Sequence, residues 1–388
     1  MQDLFITKIH IGKVRNIENL DIVLSQKVRK HLILTGKNGS GKTSLLEAMR
    51  DLFGYIHRNH SSIKDTESTW ETPANTWDYL PNISVSFSGI TNNFEAFDSL
   101  WAYIGARKGR IPDLRPPKQV EKAPSLKEVD RFDVMINERA MQYMNSLKLR
   151  AAYPKTSAEK KMIESWFDGL QTALAEIYDN DELRLTYDAE HLDFSISIPG
   201  FEPFSLNNMA DGYSAFVSIL FEIILRLDDS NAGVDYNRQG IVLIDEIETH
   251  LHVELQKRVL PFLTKMFPNV QFIVATHSPF VITSLDNAVV FDLEKRIRLP
   301  RGEDDLTPLT DYSYTDIVEG YFDEPEYSQS LQVDFDRYVA LVSQTSRTPE
   351  ERKETRKLFD RLSNIPGTSP LSTAFYLFNR RLADAETE

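Results

Sequence analysis

Gly36-Lys37-Asn38-Gly39-Ser40-Gly41-Lys42-Thr43 follows the apolar run His31-Leu32-Ile33-Leu34-Thr35 and opens onto Ser44-Leu45-Leu46-Glu47-Ala48-Met49, a stretch of helical composition. Strand, glycine-rich loop and helix, in that order, form the setting in which G-x-x-x-x-G-K-[ST] becomes a phosphate cradle. Glycines at 36, 39 and 41 let the backbone curl with its N–H groups pointing inward. The start of the helix adds its partial positive charge beneath the same anion. The backbone from Gly36 through Lys37, Asn38, Gly39, Ser40 and Gly41 to Ser44 is therefore expected to hold a nucleoside triphosphate. Lys42 is expected to reach the β- and γ-phosphates, and the Thr43 hydroxyl to hold Mg²⁺.

The totals set the frame for this loop. With 388 residues, 41% hydrophobic and 26% charged, the chain has the composition of a globular protein of one large or two medium domains. It has no cysteine, which excludes disulfides and thiolate metal sites and fits a reducing compartment, so a cytoplasmic location is expected. The first residues, Met1-Gln2-Asp3-Leu4-Phe5-Ile6, lack the basic and long apolar regions of a signal peptide. The longest apolar run, 216–227, is interrupted by Ser218, Glu222 and Arg226 and is too short and too charged to span a bilayer. A formal net charge of −14 argues against a surface coated for nucleic acid. DNA would need a local basic patch, and Arg107-Lys108-Gly109-Arg110, continuing through Arg115, Lys118 and Lys122, is the candidate. Prolines at 112, 116 and 117 make an exposed loop the simpler reading of that stretch.

In chain order, residues 4–24 alternate as two strands joined by a turn near Gly12–Asn16, and Asn82–Ser88 alternates as another strand. The polar stretch from Arg58 to Pro81 reads as loop. Between about 120 and 180 the period turns helical: Met141, Met144 and Leu147 share one spacing, Trp166, Leu170, Leu174 and Ile177 another, with Pro154 between them. This predicts a short helical arm inserted in the domain, followed by strands at Leu183–Tyr187 and Phe194–Ile198. A helix through Leu227 that is apolar on nearly every face should be buried. The apolar run Ile241–Ile244, Val270–His277 and Ala288–Asp292 read as buried strands, and residues from about 252 to 267 as a helix kinked at Pro261. Thr348-Pro349-Glu350-Glu351 carries a cap, a proline and a capping-box glutamate, and predicts a helix start. The expected boundary lies near residue 300, with a head over 1–300 and a helical region over 301–388.

Ile241-Val242-Leu243-Ile244 ends in Asp245-Glu246, two acids delivered at a strand's C-terminal edge. Asp245 suits a Mg²⁺-anchoring carboxylate, and Glu246 a general base or water positioner in line with the γ-phosphate. Taken singly, either acid could be a helix cap. His277, at the end of the next strand, is placed to sense the γ-phosphate. His250 and His252 with Glu248 have H-x-H spacing, but lack a convincing third ligand for zinc.

These motifs, with Asp211-Gly212 ahead of the buried helix, occur in an order that resembles ABC-type ATPases, and more narrowly the RecF/SMC/OLD branch. Ile244-Asp-Glu-Ile-Glu-Thr-His-Leu-His252 followed by Ala275-Thr-His-Ser-Pro279 is similar to AAA ATPases of bacterial anti-phage and OLD-like systems. The resemblance implies an α/β P-loop NTPase fold of the ABC-ATPase head type. Its features would be a mixed or parallel core sheet, antiparallel N-terminal strands, the inserted helical arm and a C-terminal helical region. It further implies ATP with Mg²⁺ sandwiched between two chains, as a homodimer or higher homo-oligomer. Asp211 and Gly212 would then touch the partner's nucleotide, and residues 248–252 would lie at the seam. Two departures, Ala210 where the signature has serine and no glutamine of the Q-loop kind before the Asn82 strand, point to a slow, switch-like ATPase. The implied role is an ATP-gated regulator of a separate effector, a nuclease or toxin, in anti-phage defence. The alternative is a RecF/Rad50-like repair ATPase that clamps duplex DNA. A transporter's nucleotide-binding subunit fits the long arm and helical tail poorly, and no membrane partner is expected.

Overall fold

A computed structural model describes residues 4–59, 69–71, 82–88, 101–105, 117, 119, 140–229, 233–234, 236–300, 309–311, 329–344, 347–363, 375, 376 and 379. The chain divides into two compact units, Met1–Tyr314 and Thr315–Glu388.

In the first unit, strands β1 (Ile6–Val14) and β2 (Ile17–Val23) form an antiparallel hairpin. The turn falls at Arg15-Asn16, at the far end of the stretch expected to hold it, because β1 runs straight through Gly12. A Cβ at Gly12 would lie 2.6 Å from Asn82 Cγ, so the missing side chain lets the neighbouring strand approach where the pairing register shifts. The elements that follow are β3 (His31–Thr35), helix α1 (Lys42–Asn59), β4 (Thr69–Glu71), β5 (Asn82–Phe87) and β6 (Trp101–Ile104). Strands β4 and β6 were not evident in the sequence: three or four residues are too few to show a period, and β4 interrupts the stretch read as loop.

Next come α2 (Ala140–Ala152), α3 (Ser157–Tyr178), β7 (Arg184–Asp188), β8 (Asp193–Ser197), β9 (Phe204–Ser205) and α4 (Asp211–Leu227). The expected helical arm is thus the pair α2–α3 over its described part, while residues 120–139 lie outside the described residues. It does not stand clear of the head. Tyr178, at the end of α3, stacks on Tyr213 of α4 with ring centroids 4.1 Å apart. The unit continues with β10 (Asp228–Asp229), β11 (Gly233–Val234), β12 (Gly240–Ile244), α5 (Val253–Met266), β13 (Val270–Ala275), α6 (Pro279–Ile282), β14 (Ala288–Asp292) and β15 (Ile297–Leu299). Helix α5 continues through Pro261 to Met266.

Two sheets dominate. One is antiparallel, in the order β2-β1-β5-β4. The other runs β15-β14-β3-β13-β12-β6 and is parallel except for its edge strand β15. Every residue of β3, β12, β13 and β14 is buried, as befits strands covered on both faces. Helix α1 fills the space between the sheets: Leu45, Leu46, Met49, Leu52 and Phe53 join one core with Ile9 and Ile11 of β1 and with Ile241 and Ile273 of the parallel sheet. The fold is a P-loop NTPase head with a mixed core sheet and antiparallel N-terminal strands. Among the described residues, no helix is long and apolar enough to cross a membrane.

The second unit contains α7 (Gln329–Val342) and α8 (Pro349–Ser363). The capping box at the start of α8 is formed: Glu351 N–H donates to Thr348 Oγ1 at 3.3 Å, and Thr348 N–H to Glu351 Oε2 at 2.8 Å. Tyr338, Leu341, Leu358, Leu362 and Phe375 make its small core. Beyond α8, residues 375, 376 and 379 are described, all helical.

Candidate functional site

Because β3, β13 and β12 are adjacent and parallel, their C-terminal ends lie side by side. This places the Gly36–Thr43 loop, Thr276-His277 and Asp245-Glu246 along one edge of the sheet, the position at which open α/β folds bind ligands. Backbone bonds tie the ends together: Thr276 N–H donates to Leu34 O at 3.0 Å, Ile247 N–H to Ala275 O at 3.2 Å, and Asp245 N–H to Ile104 O at 2.9 Å.

Gly36, Gly39 and Gly41 all have positive φ, at 126°, 84° and 102°. A Cβ on Gly39 would meet nothing within 4 Å, so the loop has an open side. The Ser40 hydroxyl is buried without a hydrogen-bond partner. Lys42 folds back over the loop, its Nζ donating to Gly36 O at 2.7 Å and Lys37 O at 3.2 Å. Burial pushes the Lys42 pKa down, while Asp245, Glu248, Glu246 and Asp292 pull it back up. An ammonium held in a partly buried cradle among four acids suits a polyanion that brings its own oxygens and a cation. Asn38 and Thr43 are exposed at the loop, whereas Ser44 is buried.

Asp245 is 1% exposed. Its carboxylate and the Thr43 hydroxyl are hard oxygen donors of the kind Mg²⁺ prefers and could hold that ion together with phosphate oxygens. Among the described residues, no group of three or more His, Cys, Asp or Glu is gathered for a metal. The H-x-H pair does not recruit Glu248, whose carboxylate is engaged by Thr276 and by the His277 amide.

Glu246 adopts a left-handed φ of 46° and accepts a bond from Thr249 Oγ1 at 3.2 Å. His277 is half-buried, and its pKa is lowered by burial first and then by the Lys42 charge, with Glu246 opposing. The imidazole thus shares its surroundings with Lys42 and Glu246.

Asp211 and Gly212 open α4 beside residues 250–252. Gly212 is buried at the start of α4, where a Cβ would sit 3.0 Å from His252 Cδ2 and 3.3 Å from the His250 carbonyl. Asp211 and Ala210 are exposed, and Ala210 O accepts the first helical bond from Ser214 N–H at 3.0 Å. Having no hydroxyl, Ala210 cannot cap that helix through its side chain. The basic stretch 107–122 lies outside the described residues apart from 117 and 119. The segment that leaves the core sheet beside Asp245 follows β6, not a strand preceding Asn82, and from residue 106 to 116 it too lies outside the described residues.

Three contributors were not evident in the sequence. Asn16, in the hairpin turn, donates from Nδ2 to Gly39 O at 3.0 Å. Arg15 bonds Ser44 Oγ at 3.1 Å and Glu47 Oε2 at 2.9 Å. Asp292, buried at the end of β14, has its Oδ1 3.2 Å from where a Gly36 Cβ would be. Each depends on chain segments distant in sequence, and no local spacing announces it.

Over 397 aligned residues the chain is 27% identical to the Septu protein PtuA of Bacillus mycoides (strain KBAB4), covering 96% of this chain and 52% of that protein. It is 28% identical over 212 residues to the retron Vc95 probable ATPase of Vibrio cholerae serotype O1 biovar El Tor, covering 51% of this chain and 38% of that one. A second Septu protein PtuA, from Bacillus thuringiensis, is 23% identical over 300 residues, covering 72% and 73%. The chain therefore spans about half or less of the length of the first two relatives. Among solved structures, the SMC head domain from Thermotoga maritima is 12% identical with a TM-score of 0.38, covering 74% of this chain and 94% of that one. The match that assigns a family covers residues 85–283, just over half of the sequence, and by it the chain belongs to the family described as "AAA domain, putative AbiEii toxin, Type IV TA system".

Proposed function

We propose that this protein binds ATP with Mg²⁺ and hydrolyses it slowly between two copies of itself, as an ATP-gated regulator of a separate effector protein in anti-phage defence. The observation that carries the ATPase reading is the convergence of Lys42, Asp245, Glu246 and His277 at the ends of three adjacent parallel strands. Lys42 leaves its two loop carbonyls to neutralise the β- and γ-phosphates. Glu246 orients a water for in-line attack on the γ-phosphorus and takes its proton as the new P–O bond forms and the bond to ADP breaks. Neutral His277 donates a hydrogen bond to a γ-phosphate oxygen. Mg²⁺, held by Thr43 and Asp245, would spread the charge that develops on the bridging and γ oxygens.

The defence role draws support from the Septu and retron relatives. Closure on a partner's nucleotide through Asp211 and Gly212 is part of the same proposal.

Two variants test it. Lys42→Ala should abolish ATP binding in a fluorescent-nucleotide titration. Glu246→Gln should bind ATP, lose hydrolysis by about 10²–10⁴-fold, and run as a larger species in light scattering with ATP than without. Wild-type turnover by Glu246→Gln removes that residue as the base. If the ATP-bound variant instead retains duplex DNA in a salt-dependent way, the DNA-clamp reading replaces the effector reading.

A further inference from the structure

Glu248 has no part in the reaction outlined above, yet it makes two short side-chain bonds at this edge of the sheet. Its Oε2 accepts from Thr276 Oγ1 at 2.7 Å, and its Oε1 from the His277 backbone N–H at 2.6 Å. Both donors flank one peptide unit, so a single carboxylate grips the backbone from which the His277 side chain projects. Bonds of this length to a charged acceptor are the strong kind. The grip is reinforced from below. Thr276 is fully buried, and its Oγ1 in turn accepts from Ser278 N–H at 2.9 Å. Ser278 Oγ donates to Gln256 Oε1 at 2.6 Å, and Gln256 Nε2 donates to Leu251 O at 2.7 Å. Residues 246–252 and 276–278 therefore form one hydrogen-bonded body, further closed by Thr249 on Glu246 and by Ile247 N–H on Ala275 O.

We propose that Glu248 is a positioning residue for the hydrolysis: through its two-pronged hold on Thr276 and the His277 amide, it fixes the imidazole at the γ-phosphate. The inference rests on the ATPase reading and deepens it. Glu248 also has an electrostatic effect, since its charge helps hold the Lys42 pKa up. The test must separate reach from charge.

Two variants do so in opposite directions. Glu248→Gln keeps the length and loses the charge. Its carbonyl oxygen can take the His277 N–H, while its amide donates to the hydroxyl oxygen of Thr276. Glu248→Asp keeps the charge but is one methylene short of both donors. Measured on the full chain, Glu248→Asp should lose about 100-fold in kcat with KM for ATP within about threefold, the size of loss that misplacing a catalytic group brings. Glu248→Gln should stay within about fivefold of wild type in kcat, since neutral hydrogen bonds keep the geometry at reduced strength. The reverse order, with Asp active and Gln impaired, would show that charge and not position matters and would overturn the proposal. Equal activity in all three proteins, or a loss confined to KM, would overturn it too.

A second measurement does not depend on turnover. The His277 backbone amide proton should resonate far downfield in the wild type and move upfield in Glu248→Gln; an unmoved resonance contradicts the hold. Lys42→Ala, run alongside, distinguishes the two levels. If it still binds ATP, the ATPase reading fails. If it does not, while the Glu248 variants behave in the reverse order, only the positioning role fails.

Discussion

At the scale of single residues, the phosphate loop shows how one pattern carries two different demands. Gly39 and Gly41 both have positive φ, but their surroundings differ. A Cβ on Gly39 meets nothing within 4 Å, whereas one on Gly41 would lie 2.7 Å from Ile17 Cδ1 and 3.1 Å from Asn16 Oδ1. Gly41→Ala should therefore disturb the hairpin turn as well as the loop, while Gly39→Ala carries backbone strain alone, about 1–2 kcal/mol. The expected outcome is a thermal midpoint clearly lower for Gly41→Ala than for Gly39→Ala, with ATP affinity reduced at least about tenfold in the former. Equal midpoints would mean that the contact with Ile17 yields at no cost. The motif itself was legible, because its glycines, lysine and threonine are demanded by phosphate chemistry at fixed spacing. That Gly41 is also a packing site for the β1–β2 hairpin was not, since the partner lies 24 positions away in sequence.

Elements here are joined by polar side chains in places where a sequence pattern suggests only burial. Gln271 interrupts the apolar strand β13 and is fully buried. Its Oε1 accepts from Ile6 N–H at 2.7 Å, and its Nε2 donates to Ile6 O at 3.0 Å and Lys30 O at 2.7 Å. One amide thus satisfies three backbone groups and stitches the antiparallel sheet to the parallel one. Gln271→Leu would leave all three unpaired, the two of Ile6 away from water, at about 1–3 kcal/mol for each buried group before relaxation. A loss of roughly 3 kcal/mol or more is expected in urea unfolding, seen as a lower midpoint with an unchanged slope. A loss below about 1 kcal/mol would show that the sheets are held by their apolar contacts alone. The long, strongly patterned strands could be read directly from the sequence. Short β4 and β6 could not, because their existence depends on a neighbour's free edge and not on any period of their own.

At the scale of the molecule, stability should depend on pH through a histidine remote from the reaction. His31 begins β3, is buried against Phe272, and accepts Phe272 N–H on Nδ1 at 3.0 Å. Burial, helped by the charges of Arg29 and Lys30, lowers its pKa from 6.5 to about 4. As pH falls below 6.5, the unfolded chain takes up a proton that the folded unit refuses. The contribution of His31 is therefore complete above about pH 6.5 and is lost progressively towards pH 4, amounting to about 3 kcal/mol over the window. The thermal midpoint should drop between pH 7 and 4.5, and His31→Gln, which can still accept the Phe272 N–H, should flatten that drop. An identical slope in the variant would assign the acid sensitivity to other groups.

The sequence by itself determined the groups on which the proposed chemistry rests: a glycine-rich loop between strand and helix, two acids ending a buried strand, and a histidine following the next. These follow from local constraints, since backbone curvature, strand burial and ligand type each restrict which residues can stand at a given spacing. Only the tertiary structure decided which groups support them. The order β14-β3-β13-β12-β6 brings three strand ends together, and with them come Asn16 on the loop, Glu248 on the His277 peptide and Gln271 between the sheets. Those contacts join residues 23 to 265 positions apart, and their partners meet only once the sheets have assembled around α1.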